Sequence, residues 1–354
     1  MKGCSATIAA LLLSVCACTT GNGVIGPPGL AGEAATGRSG VVAIEEPWIE
    51  GCGNRCFNAY EKFISNHSHH ARKLSEARLN EILAEAYSLP GPYPAGLNGA
   101  ELRERIIEAL NIRFLLEEID RRVLAVAKLE EEPIKDGRIV RRRLLFWDAA
   151  VGTFEGTLLL PEGEGPHPAI IGLHGHRHDD MIFSRKFLGE QLALRGFVVM
   201  IPRLRLHDCS LTETDLSYKL LRNGFTLMGM RIYETLLMIK YLDSLEQADD
   251  RHVGLLGHSG GSSIANLVAR LEERVGAVVV DNYIEYRNHC RYRIKDVHCE
   301  TVPELVPIAA DINEPGTLGH PTMRVEYNFE NDATRYKILR FFEENLRGAD
   351  VAVD

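Results

Sequence analysis

The residues best placed by type and spacing to do chemistry are Gly257-His258-Ser259-Gly260-Gly261. The apolar run Val253–Leu256 leads into them, and the helical pattern 262–271 follows. A serine on so tight a strand-to-helix turn needs small flanking residues, hence the glycines. The turn lifts the hydroxyl above the sheet at a helix N-terminus, where developing negative charge is favoured. Ser259 is therefore the expected nucleophile. A second run, His174-Gly175-His176, follows Ala169–Leu173. Its backbone, at Gly175 and His176, is expected to supply one N–H of an oxyanion hole, and Gly260 the other. Three alternating histidines followed by Asp179 and Asp180 also suggest zinc, but the loop's position already accounts for them. No metal and no cofactor is expected.

These residues need a scaffold. Ala169–Leu173, Phe197–Ile201, Val253–Leu256, Ala277–Val280 and Thr322–Asn328 read as strands; 182–195, 225–245, 262–273 and 333–346 read as helices. The core strands are continuous apolar runs, as expected where helices cover both sheet faces. Such alternation implies an α/β fold: a doubly wound, mostly parallel sheet with the ligand crevice at the strands' carboxyl ends. Ile139–Trp147 and Phe154–Leu160 add an antiparallel hairpin turning near Gly152. Residues 57–88 and 100–129 carry helical periodicity, broken at Pro90-Gly91-Pro92, and form a helical N-terminal layer. No G-x-G-x-x-G opens the first strand–helix unit, which excludes a dinucleotide-dependent dehydrogenase.

The chain has 354 residues and a net charge of -9, so the basic footprint of a nucleic-acid binder is missing. Met1-Lys2 and the apolar stretch Ala6–Val15 describe a signal peptide. Cys18 follows the small Ala17, which resembles a bacterial lipoprotein signal; Cys16 has bulky Val15 before it. Thr19 stands where an aspartate would retain a lipoprotein in the inner membrane, so an outer-membrane anchor is expected. The organisation expected is a signal peptide over 1–17, a Gly/Ala/Pro-rich flexible tether over 18–44, a helical region over 45–137 and an α/β domain over 138–354. An exported chain permits disulfides. Cys52 with Cys56, and Cys290 with Cys299, could bridge, which would leave Cys209; the connectivity does not follow from sequence. His67, His69 and His70 read as a solvated run.

Residues 138–354 resemble the dienelactone hydrolase-like and acetyl xylan esterase-like branch of the α/β-hydrolase superfamily. The resemblance is carried by His174-Gly175-His176, Gly229-Met230-Arg231, the Ser259 turn, and His298-Cys299-Glu300 with Val302-Pro303-Glu304-Leu305 after it. It implies a cofactor-free serine hydrolase acting on acyl or sugar-linked carboxylic esters, with a triad in the order Ser, acid, His. Asp332, after the strand from Thr322, is the expected acid; Asp281 and Glu330 compete, and Asn331-Asp332 also reads as a helix cap. The base is the difficulty. His320 precedes its strand, on the side away from the crevice. The family places its histidine beyond one more strand, and Val351-Ala352-Val353 are the last residues able to start it. The last strand and helix thus appear missing from the family pattern, and His298 or His289 is the substitute base. Two functions follow: an envelope serine esterase acting through Ser259, or a triad-deficient binding lipoprotein on the same fold. The partners expected are a small-molecule or sugar-linked ester and, through lipid alone, a membrane.

Overall fold

The computed structural model describes residues 40–44, 55–89, 96–205, 210–281, 297–314, 319–326, 329 and 331–347. Among the described residues nine strands form one sheet: β1 Val41–Ile44, β2 Leu124–Ile134, β3 Ile139–Asp148, β4 Gly152–Pro161, β5 His167–Leu173, β6 Val198–Pro202, β7 Ala248–Gly257, β8 Val275–Val280 and β9 Thr322–Arg324. Their order is β1-β2-β3-β4-β6-β5-β7-β8-β9. From β6 to β9 every pairing is parallel, and β2-β3-β4-β6 is antiparallel. This is the expected α/β fold, a mixed sheet covered on both faces.

Alternation along the central strands shows that coverage. Ile171, Leu173, Val278 and Val280 enter one apolar cluster, while Ile170, Ala277 and Val279 enter the other. The first face carries α1 Arg55–Asn66 and, beyond α2 Glu76–Ser88, whose Leu79 and Leu83 pack with Leu221 and Val297 in a separate small cluster, α3 Gly99–Leu110, α4 Arg113–Leu116, α7 Ser210–Arg222, α8 Leu227–Leu242 and α9 Gly260–Leu271. The second carries α5 Asp180–Lys186, α6 Gly189–Leu194 and, after the short α10 Ala309–Asn313, α11 Asp332–Leu346. Helix α8 is buried along its whole length, between the sheet and the N-terminal helices. A helix apolar on all sides belongs in such a place. Its one lysine, Lys240, is satisfied by the Ile119 and Arg122 carbonyls at 2.7 and 2.8 Å.

The structure corrects several local expectations. Residues 124–129 are strand: Leu124–Ala127 are buried in succession within the sheet, and a short apolar run does not distinguish helix from strand. The segment 57–88 is two helices, with α2 started by the Ser75 hydroxyl accepting the Arg78 N–H. The segment 182–195 breaks at Leu188, which adopts φ 73°. The strand from Thr322 ends at Arg324, short of Asn328. Val41–Ile44, assigned to the tether, pair in parallel with Leu124–Ala127. His67 is buried, with its ring against Phe63 and Phe114 and Nε2 3.2 Å from the Ala150 carbonyl. Its place in the turn after α1, and not the histidine run, decides its environment. Burial lowers its pKa to about 4.

Candidate active site

Strand β7 ends at Gly257 and α9 begins at Gly260, so Ser259 occupies the turn between them. It adopts φ 53° and ψ -120°, which a side-chain-bearing residue rarely holds without support. Two glycines make the turn possible by close approach. A Cβ on Gly261 would lie 2.1 Å from the Leu173 carbonyl oxygen, and one on Gly175 would lie 2.8 Å from the Ser259 Cβ. The His174–His176 loop is thereby brought against the serine.

Asp281 braces the turn. Gly257 pairs with Val280 across the sheet, so the next residue of that chain comes alongside Ser259. The buried Asp281 carboxylate accepts the Ser259 N–H at 2.7 Å, the Ser262 hydroxyl at 2.9 Å and His258 Nδ1–H at 2.5 Å. The His258 ring is held further by Phe187, Phe329 and His178, at centroid distances of 4.3, 5.4 and 5.3 Å.

The three alternating histidines separate. His174 Nε2 accepts the Leu204 N–H at 3.0 Å, so Nδ1 carries the proton and donates to the Gly175 carbonyl at 3.0 Å. Burial lowers its pKa to about 3. His178 stacks on His258, and burial, then that neighbour, lower its pKa. His176 turns toward α7 and the segment after β8: its Nε2 is 3.3 Å from Glu213 Oε1 and 3.0 Å from Cys299 Sγ. Glu213 also accepts the Cys299 N–H at 2.9 Å. Burial pushes Glu213 upward, yet the contacts with His176, Arg231 and Cys299 outweigh it and hold its pKa near 2. Arg231, from the Gly229-Met230-Arg231 run, is itself fully buried and donates to the Arg205 carbonyl. Cys299 is buried, and its sulfur faces His176. Burial raises its pKa.

His298 stands next to this group, its ring 6.3 Å from that of His176. The neighbouring Glu300 accepts the Ser263 hydroxyl at 2.7 Å, and Ser263 lies one helical turn beyond Ser259. The segment is thus carried to the crevice. His298 Nδ1 accepts the Glu300 N–H at 3.1 Å, so the neutral ring holds its proton on Nε2. His320 lies elsewhere, beside Ala269, ten residues along α9 from Ser259 and therefore about 15 Å away by helix rise.

Asp332 is exposed at the first turn of α11, and the cap is its neighbour: Asn331 Oδ1 accepts the N–H groups of Ala333 and Thr334 at 2.9 and 3.2 Å. No described side chain hydrogen-bonds Ser259 Oγ. Cys18, Cys52, Cys209, His289, Cys290, Glu330 and 351–353 lie outside the described residues, as does the side chain of Cys56. Among the described residues no helix is long and apolar enough to cross a membrane. An open groove of about 790 Å³ lies between α3 and 307–311. Arg270, near the far end of α9 from Ser259, reaches Asp311 there, so the groove is not the crevice.

Glu213 was not legible as part of this site. It lies in the ordinary amphipathic pattern of α7, and nothing in its spacing marks it.

A mixed sheet with a strained serine at the carboxyl end of a central strand, beside a His-Gly loop, is the arrangement of the α/β-hydrolase fold. Residues 154–283 match the dienelactone hydrolase family, which is what this part of the chain is similar to. The match supports a serine ester hydrolase at family level. Among curated proteins none matches the chain. Of solved structures, an acetyl xylan esterase from Bacteroides fragilis aligns with TM-score 0.50 and 12% identity, over 79% of this chain and 92% of the other. One from a Paenibacillus species aligns with TM-score 0.49 and 13% identity, over 77% and 100%. At such identity the likeness is one of fold.

Proposed function

We propose that the protein is a cell-envelope carboxylic ester hydrolase working through an acyl-enzyme on Ser259. The observation that carries the reading is the strained Ser259 turn, built against Gly175 and fixed by Asp281. Ser259 Oγ would attack the ester carbonyl. The tetrahedral oxyanion would be met by the backbone N–H groups of the Gly175–His176 loop and of Gly260, at the N-terminus of α9. The alcohol then leaves, and water releases the acid from the serine. Asp332 is the acid of this reading. The candidate base within the described chain is His298. The substrate class is a small acyl or sugar-linked ester, and the anchor is lipid on Cys18, leading to the outer membrane.

A fluorophosphonate probe tests the nucleophile: it should label the wild type and not Ser259→Ala. Labelling that survives Ser259→Ala overturns the assignment. Turnover of p-nitrophenyl acetate by the chain, lost in Ser259→Ala, supports hydrolysis, and its loss in His298→Ala would identify the substitute base. The second reading, a binding lipoprotein without turnover, draws on the absence of a described hydrogen-bond partner at Ser259 Oγ. A serine without a base keeps only the ~10³–10⁴-fold residual acceleration of binding and the oxyanion hole. Ester binding with neither label nor turnover would favour it.

A further inference from the structure

We propose that His176, Glu213, His298 and Cys299 form a zinc site beside the Ser259 crevice. One donor atom from each lies within 4.8 Å of all the others. The residues come from three separate parts of the chain: the loop after β5, helix α7, and the turn at 297–301. Local turn geometry therefore does not account for their convergence.

The detailed contacts argue for a cation at the centre. Glu213 Oε1 and Cys299 Sγ approach the same nitrogen, His176 Nε2, at 3.3 and 3.0 Å. A nucleophile–histidine–carboxylate relay is arranged otherwise, with the carboxylate on the opposite ring nitrogen. Here one ring nitrogen faces both a carboxylate oxygen and a sulfur, and a metal ion satisfies nitrogen, oxygen and sulfur together. Tetrahedral zinc, with bonds of ~2.0–2.3 Å, separates its ligands by roughly 3.3–3.8 Å. The His176–Glu213 contact already meets this, the His176–Cys299 contact opens by about half an ångström, and the widest pair closes by about one. A mixed imidazole, carboxylate and thiolate set in a tetrahedral arrangement selects zinc among the common divalent ions.

The charges balance. The ion arrives hydrated, its waters leave, and the Cys299 thiol gives its proton to solvent as the sulfur–zinc bond forms. Thiolate, carboxylate and two neutral imidazoles then neutralise the dication. His298 is the ligand that changes most, because its Nδ1 contact with the Glu300 N–H at 3.1 Å is exchanged for the metal. Four protein ligands make a closed, structural site, and His298 serves as the base only in the metal-free chain. Its work would be to tie the oxyanion loop to α7 and to the segment after β8. This inference does not rest on the esterase reading, because its readouts are metal content and spectrum.

The test uses the full mature chain. The metal-free protein is titrated with zinc against a chromophoric chelator, and separately with Co²⁺. One equivalent of zinc should bind, and Co²⁺ should give a thiolate-to-metal charge-transfer band with tetrahedral visible bands. Cys299→Ser should abolish the charge-transfer band, and His176→Gln should weaken zinc binding about a hundredfold or more, beyond what loss of an outer-sphere partner costs. His298→Ala should bind more weakly while keeping the band. Circular dichroism of each metal-free variant separates lost folding from lost ligation, and zinc should raise the wild-type melting temperature but not that of Cys299→Ser. Failure to bind zinc stoichiometrically, or a band unchanged in folded Cys299→Ser, overturns the proposal.

Discussion

Asp281→Ala separates a brace from a catalytic acid. The carboxylate is buried and accepts three donors: the Ser259 N–H, the Ser262 hydroxyl and His258 Nδ1–H. Hydrogen bonds to a charged group contribute ~1.5–3 kcal/mol each, and a buried donor left without a partner carries its full desolvation penalty. The three share one acceptor and do not add, so the expected loss is about 3–5 kcal/mol. A chain of 354 residues unfolds with an entropy of roughly 0.7 kcal/mol/K, so Tm should fall by about 4–7 °C. Asp281→Asn should not restore it, because the amide presents a donor to one of three donors. Urea unfolding followed by circular dichroism measures the stability, and fluorophosphonate labelling reads the serine. Both should fall together, since the brace holds the φ 53° conformation. Wild-type stability in Asp281→Ala, within about 1 kcal/mol, would refute the bracing role. If labelling fell with stability unchanged, Asp281 would instead be acting on the chemistry.

Gly175→Ala should abolish Ser259 labelling with little change in circular dichroism, because its Cβ would meet the Ser259 Cβ at 2.8 Å. Labelling at the wild-type rate would show that the loop is free to move away. His67 gives an acid-sensitive component of stability: its folded pKa, about 4, lies below the ordinary 6.5. Burial favours the neutral ring, so this stability is complete above pH 6.5 and is lost as pH falls toward 4. After discounting for partial solvent screening it should amount to roughly 1–3 kcal/mol, read as the drop in urea midpoint from pH 7 to 4.5, and His67→Leu should flatten that drop. Cys18→Ala should abolish incorporation of labelled palmitate and release the mature chain from membranes; lipid retained in that variant would move the anchor elsewhere.

The second half of the fold was legible because its signals are long and mutually consistent. Apolar strands such as Ala169–Leu173 and Ala277–Val280 are covered on both faces, and each is followed by a helix that must cross back over the sheet. The first half was less legible for a physical reason. Leu124–Ala127 form a short apolar run, and in isolation such a run has no period. Its strand identity comes from neighbours on both sides: Val41–Ile44 in parallel, and Leu144–Trp147 antiparallel. Further along the same strand, three glutamates face three arginines, with Glu130 opposite Arg143 and Glu132 opposite Arg141. That pairing was present in the composition of both segments, but only the register makes it visible.

The site divides along the same line. Ser259 and Gly175 were readable because their requirements are local: a strained turn and a close approach both demand glycine where glycine is found. The histidines were readable as residues but not in their roles. Along the loop, alternate side chains diverge, so His174 turns inward to the Leu204 N–H, His178 stacks on His258, and only His176 meets Glu213 and Cys299. Those last two partners lie 37 and 123 residues further along the chain. From sequence Cys299 is able to bridge a nearby cysteine, whereas the fold presents its sulfur to an imidazole. Covalent proximity suggested one chemistry for the residue and tertiary proximity supplies another. The metal titration of the 299 and 176 variants decides between a cation-bearing cluster and a buried hydrogen-bonded thiol.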